Sequence, residues 1–269
     1  MISVSWISEY AYCPLKLYLK QVVGEDVETP AMTIGNLHHE LRRGYEEITK
    51  RNLWQLEENM SIKEIGDVIF QDVPELVENI FSQYQKTMLM DSMNGGMCDG
   101  LRDDLKLDSY SLALKVKRIM KLSHINHLEM ADILFPSCLV EFQLKNKELQ
   151  LKGKVDKIEL LEGYYYPVEI KSGRPPVKGV WKSDALQIAA YGLLIEEEFK
   201  KEVLVGFVDY LQIGARRTVV LNDALIEELS IVLNEMRSIL NSEYVPETAQ
   251  NPNKCRACDF ADFCEYCNA

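Results

Sequence analysis

The sequence predicts an α/β protein, a mixed sheet with flanking helices that is preceded by a mostly helical region. Three observations carry this. Apolar residues recur at helical spacing between residues 33 and 122. After Pro136 the pattern changes to β-branched and aromatic runs, CLVEFQLK (138–145), LQLKGKVDKIELL (149–161) and YYYPVEIK (164–171). A further helix, two strands and another helix then lead to a cysteine-rich tail.

Taken in order, residues 5–20 read as a short helix beginning at Ser5 or Ser8, with Trp6, Ile7, Tyr10, Leu17 and Tyr18 as its apolar contacts. Pro14 is expected to bend or restart it. After a polar link at 24–32, residues 33–58 read as helical, with Leu37, Leu41, Tyr45 and Ile48 near helical spacing. Helices follow at 61–69, 74–92 and 103–122, separated by Pro74 and by the NGG at 94–96. Asn146–Lys147 and Glu162–Gly163 supply turns between the three strands. A helix at 183–199, strands at 203–213 and 216–221, and a helix at 223–242 complete the reading. One composite domain over 1–269 is expected, in four parts: 1–32, 33–135, 136–222 and 223–269.

Apolar residues at 47% and charged residues at 27% are ordinary for a globular protein. No apolar run approaches the roughly 18 to 20 residues that span a bilayer. MISVSWISEY has no basic segment followed by an apolar stretch, so a cytoplasmic location and no membrane are expected. The net charge of −12 argues against a protein that coats DNA, because such affinity comes from Lys and Arg on phosphates. An acidic exterior suits docking on a basic partner and leaves room for a local basic groove.

Asp156 lies in GKVDKIEL, and Glu169 and Lys171 form an E-x-K pair at the end of the next strand. Residues i and i+2 of a strand share a face, and Asp156 can stand beside Glu169 on the antiparallel neighbour. Two carboxylates with the Ile170 carbonyl make a partial oxygen shell for Mg²⁺ or Mn²⁺. Such a cation acidifies a bound water and neutralises charge on a phosphate, while Lys171 holds the water or stabilises that charge. E-x-K alone also fits an exposed cross-strand ion pair. Glu141 is a further candidate acid. In GNLHHELRR, Gly35 and His39 are four apart on one helical face, so the imidazole can complete the shell, with His38 as competitor. Gln187 and Tyr191 in DALQIAAYGLL also share a face. They either reach the site or the nucleic acid, or sit at a core edge.

Seven cysteines, with no export signal, point to metal or cluster ligation rather than disulfides. Cys255, Cys258, Cys264 and Cys267 form a C-x₂-C-x₅-C-x₂-C run, and Cys13 adds a thiol from the far end of the chain. A zinc ribbon separates its pairs more widely. A [4Fe–4S] cluster held by thiolates from both ends is chemically reasonable, with five thiols competing for four positions. Cys98 and Cys138 read as ordinary buried thiols.

These residues together resemble the RecB-like nucleases of the PD-(D/E)XK superfamily. Within it they look most like the iron–sulfur exonuclease family of CRISPR adaptation, the fourth family of CRISPR-associated proteins. The resemblance runs through YAYCPLKLYL (10–19), G-x-x-x-H (35–39), GKVD (153–156), EIKSG (169–173), QIAAY (187–191) and C-x₂-C-x₅-C (255–264). It implies a restriction-endonuclease-like fold, His39, Asp156 and Glu169 as metal ligands, and Lys171 as the catalytic lysine. It also implies Cys13, Cys255, Cys258 and Cys264 as cluster ligands, with Cys267 as an extra thiol. The implied activity is Mg²⁺- or Mn²⁺-dependent cleavage of DNA, often single-stranded or overhanging, to process spacer precursors beside the CRISPR integrase complex.

Joining the chain ends through a cluster closes a loop of about 240 residues and removes unfolded-chain entropy. The ends would then form a roof over the nuclease core, under which single-stranded DNA passes. Arg174, Lys178, Trp181 and Lys182 are the expected path residues. The helices of 50–135 exceed what the motifs cover and are a candidate contact for DNA or a partner. The competing readings are a noncatalytic iron–sulfur subunit that binds DNA or the integrase, and an iron–sulfur or zinc protein with no nuclease role.

Overall fold

The computed structural model describes residues 1–23, 30–87, 95–122, 127–242, 244–247, 251–256 and 258–265. In chain order the elements are β1 (Ile2–Ser3), α1 (Trp6–Tyr12), α2 (Pro14–Val23), α3 (Pro30–Asn52), α4 (Ile62–Phe70), α5 (Val73–Thr87), α6 (Gly95–Leu122), α7 (His127–Leu134), β2 (Cys138–Asn146), β3 (Leu151–Leu161), β4 (Tyr164–Lys171), α8 (Lys182–Phe199), β5 (Val205–Tyr210), β6 (Ala215–Val220), α9 (Asp223–Leu240) and α10 (Pro252–Arg256). They group into two compact units, one of residues 1–29 with 138–269 and one of residues 30–137. No helix among the described residues is long and apolar enough to cross a membrane.

The helical unit is built on the periodic residues. Leu37, Leu41 and Tyr45 of α3 pack in one core with Ile65 and Ile69 of α4, Val77 of α5, and Leu101 and Leu105 of α6. A capping box starts α4: the Glu64 amide donates to Ser61 Oγ at 3.3 Å, and the Ser61 amide donates to Glu64 Oε2 at 2.7 Å. The expected start of the next helix at 103 is corrected here, because α6 begins at Gly95, and Gly95 and Gly96 form its first turn. A helix end tolerates glycine, and Leu101 and Leu105 continue an apolar stripe from it. The end of the 74–92 helix and the polar link at 24–32 fall largely outside the described residues.

In the other unit, Pro14 does restart the chain. Cys13 is extended at φ −163° and ψ 120°, as a residue before proline prefers, and divides α1 from α2. The sheet has six strands among the described residues. β3 is its spine, with β2 antiparallel along one edge. The other edge takes β1, parallel, at Leu151 and Lys152, and β4, antiparallel, from Lys157 onward. β4 then pairs parallel with β5, and β5 antiparallel with β6. α8 links β4 to β5 and is buried along Leu186–Tyr191, and the core it shares includes Leu229, Leu233 and Met236 of α9. Strand β1 was not foreseen. The second strand begins at Leu151 rather than 149, because Gln150 ends the turn at φ 54°.

Val155 and Ile158 belong to the same core, yet they are an odd number of residues apart and would face opposite sides of a regular strand. The alternation therefore shifts by one between them, at Asp156. Opposite it, Glu141 has φ 50°, and the β2–β3 pairing skips from Val140–Lys157 to Phe142–Val155.

Candidate active site

Asp156 occupies an interruption in the sheet. The β3–β4 ladder ends at Lys157 and Val168, and one step beyond stand Asp156 and Glu169. There the Ile170 amide donates to Asp156 Oδ2 at 2.8 Å. Burial and then the charge of Glu169 push the Asp156 carboxyl well above the usual carboxylate range.

Glu169 and Lys171 share a face as strand spacing requires. Lys171 Nζ donates to Glu169 Oε1 at 2.9 Å and to Gln187 Oε1 at 2.7 Å, and lies 3.8 Å from Asp184 Oδ1. Burial by itself pulls the Lys171 ammonium down, but Glu169 and Asp184 outweigh it and hold it above its ordinary value. The exposed ion-pair reading of E-x-K fails at this point, because Glu169 is only 8% exposed.

The second Glu169 oxygen, Oε2, is buried and has no hydrogen-bond partner. A buried carboxylate oxygen left in this state costs about 1–3 kcal/mol or more unless a cation or donor meets it. With Asp156 beside it, the donor set is hard oxygen, as Mg²⁺ or Mn²⁺ prefers. The residues present therefore fit a divalent cation, although among the described residues no three His, Cys, Asp or Glu side chains converge as a ready-made metal site.

Gln187 and Tyr191 are both about 3% exposed. Gln187 fixes the lysine, and the Tyr191 hydroxyl donates to the Lys154 carbonyl at 3.0 Å. Burial, followed by the charges of Glu169 and Asp156, raises the Tyr191 phenol, which stays a neutral donor. A Cβ at Gly153 would lie 2.8 Å from Tyr191 Cε1, so the glycine of GKVD admits the tyrosine of QIAAY. Of the two, Gln187 thus reaches the site through Lys171, and Tyr191 binds the main chain of the GKVD strand.

Of the other expected residues, His39 stands half-buried on α3 in the helical unit, and burial lowers the neighbouring His38. Glu141 is bound by Lys154 Nζ at 3.2 Å. Arg174, Lys178 and Trp181 are exposed in the 172–181 connection. Lys182 is ion-paired with Glu228 of α9. Asp184 and Tyr210 were missed. The available signal was spacing, since Asp184 lies three residues before Gln187 on the same helical face.

The chain ends meet around three of the thiols. Tyr12 donates to the Lys254 carbonyl at 2.5 Å, Lys254 Nζ donates to the Tyr12 carbonyl at 2.8 Å, and Lys16 Nζ reaches Asp259 Oδ2 at 2.8 Å. These bonds flank Cys13 on one side and Cys255 and Cys258 on the other. Burial raises the Cys258 thiol, against the opposing pull of the Phe260 amide and the Lys16 charge. Cys264 is buried beyond the 3₁₀ turn Ala261–Phe263. Cys267 lies outside the described residues, and Cys98 and Cys138 are half-buried elsewhere.

Comparison with known proteins identifies the family. Residues 1–265 match the model of the PD-(D/E)XK nuclease superfamily. A "CRISPR-associated exonuclease Cas4/endonuclease Cas1 fusion" of Myxococcus xanthus is 33% identical over 129 residues, 46% of this chain and 23% of the relative. The fusion of Leptospira interrogans is 28% identical over 127 residues, 46% of this chain and 24% of the relative. "CRISPR-associated exonuclease Cas4" of Francisella tularensis subsp. novicida is 29% identical over 121 residues, 45% of this chain and 59% of the relative. The matched region spans about a quarter of the two fusion proteins. With the family model covering the acidic pair, the lysine and the first three cysteines of the tail, the chain belongs to the PD-(D/E)XK nuclease superfamily.

Proposed function

We propose that this chain is a divalent-metal-dependent DNA nuclease that acts on single-stranded DNA or overhangs and processes CRISPR spacer precursors beside the integrase. The observation that carries the catalytic part is the buried, unpartnered Glu169 Oε2 next to Asp156 and Lys171. The relatives named as fusions with Cas1 support the setting.

Asp156, Glu169 and the Ile170 carbonyl are the proposed holders of Mg²⁺ or Mn²⁺. The chemistry such a cation supplies is Lewis-acid neutralisation of phosphate charge and an acidified water. The chain's own residues do the rest. Asp156 is oriented by the Ile170 amide, which donates to its Oδ2. Lys171, clamped by Glu169 and Gln187, presents an ammonium where negative charge grows on the scissile phosphate. Cys13, Cys255, Cys258 and Cys264 are the proposed ligands of a [4Fe–4S] cluster that joins the chain ends.

The test is cleavage of end-labelled single-stranded DNA by anaerobically purified protein with Mn²⁺, beside EDTA, Asp156→Ala and Lys171→Ala. The parent alone is expected to cleave, with Lys171→Ala slower by about 10²–10³-fold. A Lys171→Ala protein cutting at the parental rate removes the assigned role. A folded, cluster-loaded parent that does not cut replaces the nuclease reading with that of a noncatalytic binding subunit.

A further inference from the structure

Asp184 is a buried carboxylate, 5% exposed, in the first turn of α8. A carboxylate there ordinarily turns back to the helix's own first amides. Asp184 turns elsewhere. Its Oδ2 accepts the Tyr210 hydroxyl at 2.6 Å, and its Oδ1 lies 3.8 Å from Lys171 Nζ.

Tyr210, 1% exposed, ends β5 in register with Lys171 on β4. A tyrosine has one O–H to donate, and this one goes to Asp184. Its oxygen in turn accepts the Trp181 main-chain N–H at 3.2 Å. Trp181 ends the exposed 172–181 connection, and its indole N–H donates to the Arg174 carbonyl at 3.0 Å. Arg217 on β6 donates to the Pro176 carbonyl at 2.7 Å and to that of Gly179, with its guanidinium 5.3 Å from the centre of the Tyr210 ring. Hydrogen bonds therefore run from the exposed connection through Tyr210 to Asp184, whose carboxylate faces the lysine as an ion-pair partner at 3.8 Å.

We propose that Asp184 and Tyr210 are positioning residues that set the Lys171 ammonium according to how the 172–181 connection is seated. The catalytic half of this inference rests on the nuclease reading. A DNA strand lying on Arg174 or Trp181 would then align the lysine through main-chain and hydroxyl contacts, without touching either positioning residue.

The test is a double-mutant cycle of Tyr210→Phe and Asp184→Asn, read by kcat and KM on single-stranded DNA with saturating Mn²⁺. The exchange rate of the Trp181 amide is read on the same proteins. Each single change is expected to lower kcat about 10-fold, with KM within about twofold, because alignment rather than binding is lost. The double variant is expected to lose no more than the worse single, since the two act in series. Trp181 amide exchange should quicken in Asp184→Asn as it does in Tyr210→Phe. Losses that multiply to about 100-fold would overturn the coupling, as would a parental kcat in either single or parental Trp181 exchange in Asp184→Asn. Should Asp184→Asn not fold, Tyr210→Phe keeps the ring and carries the test through its kcat and KM. A parent that fails to cleave sinks the nuclease reading, while amide exchange still decides whether Asp184 holds Tyr210 on Trp181.

Discussion

The Ile170 amide donates to Asp156 Oδ2 at 2.8 Å, across the point where β3 and β4 cease to pair. A main-chain donor past the end of the ladder thus aims the carboxylate, while β4 stays paired with β5 along its other edge. The site is a consequence of how the sheet divides.

The first prediction concerns acid and base. The Asp156–Glu169 pair is held above the usual carboxylate range at Asp156, by burial and then by Glu169. The native state therefore binds this proton more tightly than the unfolded chain does. Metal-free stability should fall as pH rises from the ordinary carboxylate range through the raised value. Asp156→Asn should remove that fall and melt higher than the parent near pH 7 in EDTA. Added Mn²⁺ should raise the parent's Tm and leave the variant's unchanged. Parallel melting curves against pH would sink the assignment.

Arg216 grips two carboxylates, Glu159 at 2.8 and 2.9 Å and Asp209 at 2.8 Å through both of its oxygens. Glu159 is buried, so removing the guanidinium leaves a charge with little solvent. Arg216→Ala should destabilise by about 2–4 kcal/mol in urea titrations. A loss under about 1 kcal/mol would place the pair among ordinary surface bridges.

Lys16 joins Glu9 and Asp259 at 2.8 Å each. Burial pulls its ammonium down, but the two carboxylates prevail and hold it up to about 12. Because the native pKa is the higher one, the clasp is fully present below the ordinary lysine value and is lost only as pH rises through about 12. At pH 7 to 9, Lys16→Met should quicken proteolysis within 255–265 about 10-fold. An unchanged cleavage rate in the tail would remove the clasp from the account.

The path residues are separable by charge pairing. Arg174→Gln and Lys178→Gln should each weaken single-stranded DNA binding and reduce the salt slope by about one per lost phosphate contact. Lys182→Gln should do neither, because Glu228 already holds that ammonium. Filter binding across a salt series decides it, and unchanged slopes for Arg174 and Lys178 would exclude them from the path.

Much of this was readable from local pattern. β-branched and aromatic runs bounded by turn residues placed β2, β3 and β4, and i,i+2 spacing placed Glu169 beside Lys171, because local propensity and strand geometry dictate these. Pro14 announced the restart at Cys13 through its effect on the preceding residue. The two-residue strand β1 left no such trace, since it is held by pairing with β3 rather than by a period of its own. The residues that complete the site were also hidden. Asp184 reads as a first-turn helix acid, and Tyr210 as one aromatic in a buried strand, until β5 is laid beside β4. The sequence by itself determined which residue types stand at which spacing, because those follow from covalent geometry and short-range periodicity. Tertiary structure alone decided the shift in alternation at Asp156, the empty oxygen of Glu169 and the Trp181–Tyr210–Asp184–Lys171 connection. Each depends on long-range strand pairing and burial, and no local window encodes either.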